Sequence, residues 1–165
     1  MNKKGHVLNA ALLSIGLGAV LEPATELSAV PAMLETMVVI GVPVTLGALF
    51  PDVDTAFGKH RKTLHNLGIL AAFAAFPEVY GNLEFVWIGV LTHYALDVAG
   101  SKRGIALFYP LSSQEYGLPF GVAVSSRYAT VVTVVVTAGE LLVAGLIVFE
   151  VPQWGLELAR QAIGV

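Results

Sequence analysis

VPAMLETMVVIGVPVTLGALFPDVDTAFGKHRKTLH, residues 30–65, is the stretch whose reading decides the fold class. Its first part, Val30 to Phe50, is almost wholly apolar and has the ~20 residues needed to cross a bilayer core. Its second part turns abruptly polar, with Asp52, Asp54, Lys59, His60, Arg61, Lys62 and His65 in quick succession. An apolar helix that delivers a dense polar loop is the pattern of a membrane segment ending at a site. Gly41 and Pro43 are placed to kink that helix.

The rest of the chain agrees with this reading. Of 165 residues, 56% are hydrophobic and 13% charged, about half the charged share of a soluble domain. Five apolar stretches can be drawn: Gly5–Leu21, Val30–Phe50, Leu64–Phe76, Leu83–Val98 and Tyr128–Phe149. The expectation is an all-α, polytopic membrane bundle of about five apolar helices. Residues 1–165 form a single integral-membrane domain on this reading, and a long cytoplasmic loop, Ala99 to Ser126, precedes the last helix. Only the second and fifth stretches reach full span length, so a soluble bundle of buried helices is the competing reading. The lack of polar faces argues against it. No cleavage site for a signal peptide follows the first apolar run before Glu22 and Pro23.

Charge placement orients the bundle. With five crossings, Lys3, Lys4, Lys59, Arg61, Lys62, Lys102, Arg103 and Arg127 share one side. The other side has Arg160, with Glu22, Glu26, Glu78, Glu84, Glu150 and Glu157. Eight bases against one predict a cytoplasmic N-terminus and an external C-terminus in a cell (inner or plasma) membrane. The same topology brings His6, Asp52, Asp54, His60, His65, His93 and Asp97 to the cytoplasmic face, although nothing in the charge count required it.

Those seven are all the histidines and aspartates of the chain. They are the side chains that bind divalent metals or move protons near neutral pH. With no cysteine, any ion must be held by imidazole and carboxylate. His93 and Asp97, four apart in LTHYALD, share a helix face. They are either two ligands, a His with its orienting carboxylate, or a private bond between helices. His60 and His65 lie about 140° apart on an ideal helix, which places His60 in the loop and His65 in the first turn of the next helix. His6 stands alone and also reads as an interfacial histidine. Glu35 and Glu140 lie inside apolar stretches, where they either hydrogen-bond between helices or sit shallower than the drawn boundaries; neither falls on the cytoplasmic side, and both are left out of the site. Tyr109 is expected to be extended before Pro110. No nucleotide loop, Ser–His–Asp set or nucleic-acid motif occurs, and nucleic acid is not an expected partner.

The N-terminal His, then FPDVD, KHRKTLH, THYALD and LFYPLS, in that order, resemble the YdjM-like family. Its members are described as predicted membrane-bound metal-dependent hydrolases of bacteria and archaea. The resemblance spans about residues 5 to 126; the last membrane helix, about 128–149, is generic. A fainter similarity links the His and Asp pattern to zinc-dependent phospholipase C and the single-strand nucleases of its fold. This chain has fewer histidines and is far more apolar, which points to one or two ions rather than three.

What the resemblance implies is a divalent-metal site, zinc above all, with Asp52, Asp54, His65, His93 and Asp97 as principal ligands and His60 and His6 next. A metal at a membrane face suits hydrolysis of a phosphoester on a lipid or lipid-linked substrate. In that reaction Asp54 or Asp97 would take a proton, and Arg61, Lys62 and Arg103 would neutralise phosphate charge. Two readings compete with it. One is a non-enzymatic membrane protein whose metal or His/Asp cluster holds helices together. The other is a transporter, which would need polar groups along the membrane depth.

Overall fold

The computed structural model describes residues 1–163. It is all-helical: six α-helices, α1 (Lys3–Leu21), α2 (Val30–Leu49), α3 (Leu67–Tyr80), α4 (Val86–Gly100), α5 (Ala129–Val148) and α6 (Val151–Ile163), with no named strand among the described residues. Local chemistry sets the boundaries. The Asn2 side chain caps α1 by accepting from the Gly5 N–H, and Asn66 caps α3 by accepting from the Ile69 N–H. Gly81, at φ +66°, closes α3 in the left-handed conformation that costs glycine least. Short 3₁₀ turns, Leu27–Ala29 and Pro51–Ala56, flank α2 and make one continuous helical run of 30 residues around its apolar centre.

Helices α1, α2, α4 and α5 pack around one core, in which Ala10, Leu13 and Leu17 of α1 meet Ile40, Val44 and Ala48 of α2. Helix α3 packs outside it, on α4. The closest approach is between α2 and α4. A Cβ on Gly89 would stand 2.1 Å from the Val44 carbonyl oxygen, and one on Gly47 would stand 2.0 Å from that of Val86. Small residues here let two backbones touch, as packed membrane helices require. Many large apolar side chains point outward, among them Val39, Val42, Leu46, Val135, Leu142 and Ile147. A surface that apolar suits lipid, not water.

The expectation of five membrane crossings is corrected to three candidate spans: α1, α2 with its flanking turns, and α5. Helices α3 and α4 have 14 and 15 residues, about 21 and 22 Å at 1.5 Å per residue, against a core of about 30 Å. His65 also departs from expectation. It precedes the Asn66 cap and lies in the loop, because the cap stops the helix one residue short of it. Residues 107–111 form a turn around a cis Tyr109–Pro110 bond instead of an extended segment. Helix α6 was not anticipated, since its polar residues hide it from a search for apolar runs.

Candidate metal centre

Four chain segments converge at one end of the bundle: the first turns of α1, the loop after α2, the loop before α3, and the second half of α4. They bring together His6, Asp52, Asp54, His60, His65, His93 and Asp97, and all but His60 are buried. His6 stacks on His93, ring centroids 3.7 Å apart and 8° from parallel. The Gly47–Gly89 contact carries Asp52, just past α2, to within 3.9 Å of His93 Nε2.

Three sets of side chains are close enough to hold a metal ion: His6, Asp52 and His93; Asp52, His60 and His65; and His65, His93 and Asp97. Each set has donor atoms within 4.8 Å of one another. Asp52, His65 and His93 each belong to two sets, so any two ions here would share ligands.

Asp54 is placed differently. Its Oδ1 lies 3.0 Å from His60 Nδ1, and its Oδ2 lies 3.0 Å from His65 Nδ1. It belongs to none of the three sets, and it turns the Nε2 atoms of both rings away from itself. A carboxylate on the far nitrogen of a ligating histidine fixes its tautomer and orientation.

His93 is oriented in the same manner. Its Nδ1 lies 2.7 Å from the Ala48 carbonyl, which can only accept, so Nδ1 carries the hydrogen. The Nε2 atoms of His65 and His93 then face each other at 3.0 Å, each presenting a lone pair. A second proton on one ring would relieve this contact by making an imidazolium. Burial opposes that at His65, holding its pKa below the ordinary histidine value despite Asp54. A divalent cation satisfies both rings at once. Two imidazole nitrogens on one zinc ion, each about 2.0–2.1 Å away, lie roughly 3.3 Å apart in tetrahedral geometry. His6 adds a second sign: both its ring nitrogens are buried with no hydrogen-bond partner. Orphaned buried nitrogens are rare and call for a ligand. The residues present fit a metal.

Asp97 lies 3.8 Å from His93 Nε2 and 3.5 Å from His6 Nε2, and the chain's first amino group contacts its Oδ1. The Arg61 guanidinium stands 3.7 Å from its Oδ2. Arg61 Nη1 donates to Ser101 Oγ at 3.0 Å and to the carbonyls of Arg103 and Gly104. Arg61 therefore pins the 101–104 segment against the cluster, itself held at a positive φ of 67°. Lys62 reaches Ser113 and Glu115, and Arg103 pairs with Glu115, so these two bases tie down the loop.

A family model described as YdjM inner membrane protein matches residues 1–158. The chain belongs to that family. No curated protein and no solved structure matches it. A YdjM family member is a membrane protein, in keeping with its apolar helices and outward apolar surface.

Sequence reasoning missed two features of this YdjM chain. Tyr94 Oη donates to the Leu64 carbonyl at 2.6 Å and accepts from the Asn66 N–H at 3.1 Å, clamping the residues on either side of His65. Its place beside His93 was the available signal. The second is a polar network one turn deeper. Asn9 Nδ2 donates to Thr92 Oγ1 at 2.7 Å, Thr137 donates to Asn9 Oδ1, and Thr92 donates to the Glu140 carboxylate. Glu140, left out of the site, hydrogen-bonds between helices and reaches the residue next to His93.

Proposed function

We propose that this protein is a membrane-bound, metal-dependent hydrolase acting on a phosphoester of a lipid or lipid-linked substrate at the cytoplasmic face. The observation that carries the metal is the facing pair of Nε2 atoms, His65 and His93, set among Asp52 and Asp97. His6, Asp52, His60, His65, His93 and Asp97 would hold one or two ions, with zinc the best match to imidazole and carboxylate donors. When bound, such an ion supplies Lewis acidity toward a phosphoryl oxygen and makes water acidic enough to attack at neutral pH.

The chain's own residues do the rest. Asp54 orients His60 and His65. Asp97, where a metal leaves it free, takes a proton from water, and Arg61 offsets charge that develops on phosphate. His60 is 40% exposed while the other six residues of the cluster are buried, so solvent reaches the cluster's edge at His60. A catalytic metal site keeps an open position, whereas a structural one is closed by protein. The exposed edge at His60 supports the catalytic reading over a purely structural cluster.

The eight bases support the cytoplasmic placement, since all of them fall on segments at the cluster end. It survives the change from five spans to three. If α3 and α4 form a re-entrant pair, the number of crossings stays odd and the termini stay on opposite sides.

The test is turnover by the full-length protein in vesicles containing a phosphomonoester lipid or a phosphodiester lipid, with zinc added. Release of phosphate or of the free lipid is expected, with Asp52→Ala inactive. Metal-loaded protein that turns over neither lipid would replace this reading with the structural one.

A further inference from the structure

Outside the cluster lies a groove of about 640 Å³ between α1, α4 and α5. Leu13, Leu17, Trp87, Leu91, Val143 and Ile147 give it apolar walls. Leu91, Val143 and Ile147 are well exposed at its rim, so it opens to the outside of the bundle. Its only charged side chain, Glu140, is occupied by the Thr92 hydroxyl. The groove thus offers hydrocarbon to whatever lies in it.

What distinguishes the groove from any lipid-facing crevice is its end. Gly100 and Val132 bring α4 and α5 together at the cluster end, where a Cβ on Gly100 would stand 3.3 Å from Val132. Just beyond, α4 gives way to Lys102, and α5 is preceded by Arg127; both are exposed. Arg103 is neutralised by Glu115. Lys102 and Arg127 have no carboxylate partner among the described residues; the Arg127 guanidinium lies 4.8 Å over the Tyr128 ring.

We propose that this groove is a binding site for an anionic phospholipid, with one acyl chain between α4 and α5 and its phosphate against Lys102 and Arg127. Ala99 lines the groove three residues before Lys102, and Arg127 precedes the helix whose Val136 lines it, so both cations lie on the segments that leave its cluster end; an apolar trough followed by such cations suits an anionic phospholipid. The inference rests on the hydrolase reading and deepens it by naming where a lipid substrate docks. Ser101, next to Lys102, receives the Arg61 guanidinium at 3.0 Å, and Arg61 stands 3.7 Å from Asp97. A phosphate at Lys102 is therefore at the edge of the cluster.

The chain has two tryptophans, so Trp154→Phe leaves Trp87 as the sole reporter in the groove. This full-length variant is placed in phosphatidylcholine vesicles containing brominated phosphatidylglycerol or brominated phosphatidylcholine, and quenching of Trp87 is measured. The anionic lipid is expected to quench at a several-fold lower mole fraction, and Lys102→Gln with Arg127→Gln to abolish the difference. Gly139→Leu should weaken quenching by both lipids; Gly139 lines the groove, and a Cβ there meets nothing within 4 Å. Equal quenching by both lipids, or a preference that survives the double change, overturns the proposal. Asp52→Ala should keep the preference, which separates this test from that of hydrolysis. Lost turnover with an intact preference counts against the hydrolase reading alone.

Discussion

Two buried polar clusters share helices α1 and α4, one turn apart, and they differ in how their hydrogen bonds close. In the deeper one, Asn9, Thr92, Thr137 and Glu140 satisfy one another: the Thr92 hydroxyl accepts from Asn9 and donates to a carboxylate whose oxygens lie 2.8 and 2.7 Å away. In the outer one, the His6 ring nitrogens make no hydrogen bond and the Nε2 atoms of His65 and His93 confront each other. A closed network needs nothing further and holds helices together. An open one is costly unless something fills it. The contrast teaches that buried polarity alone does not mark a site, and that the pattern of unmet valence does.

The largest effect that separates the two clusters is ligand-linked stability. Zinc at a hundredfold excess over its Kd should stabilise the protein by about 2.7 kcal/mol, read as a rise in the unfolding midpoint in detergent. His65→Ala should remove that increment. If the variant keeps it, the outer cluster is no more a metal site than the inner one.

A smaller effect runs the other way. Thr92→Val breaks the inner network and should cost roughly 0.5–1.5 kcal/mol of stability while leaving the zinc increment in place. Loss of both would mean the clusters act as one unit, and the comparison would fail.

The smallest effect concerns the loop that covers the outer cluster. Hydrogen bonding to Arg103 holds the Glu115 carboxyl below its usual range. A lowered folded pKa means the pair's contribution is present above the unfolded value of about 4.3 and is lost as pH falls through the folded one. Glu115→Gln should therefore speed proteolysis between residues 103 and 115 at neutral pH and make little difference in acid. A difference that persists at low pH would show that the loop is held by something else.

Much of the outer cluster was legible in the sequence because ionisable side chains are so scarce in an apolar chain. His93 and Asp97 could be paired from their four-residue spacing, and Asp52 and His60 from the polarity that breaks out after Phe50. The partner of each nitrogen was not legible. Asp54 lies on two Nδ1 atoms, and a DxD spacing carries no information about which carboxylate turns toward the rings. Nor could spacing tell that Arg61 would hold the 101–104 carbonyls. The Thr92–Glu140 contact depends on how α4 and α5 are rotated, which long-range packing decides. The span count misled for a simpler reason: the expected crossings included Leu64–Phe76 and Leu83–Val98, which are shorter than a bilayer core requires, and α3 and α4 are about as short as those runs suggest.

The most direct test of the metal centre is the zinc content of purified, zinc-repleted protein, with the donor set read by X-ray absorption. The account predicts one or two ions per chain with nitrogen and oxygen donors only, and their loss in His93→Ala combined with Asp97→Ala. Wild-type protein that retains no more zinc than the double variant would contradict it.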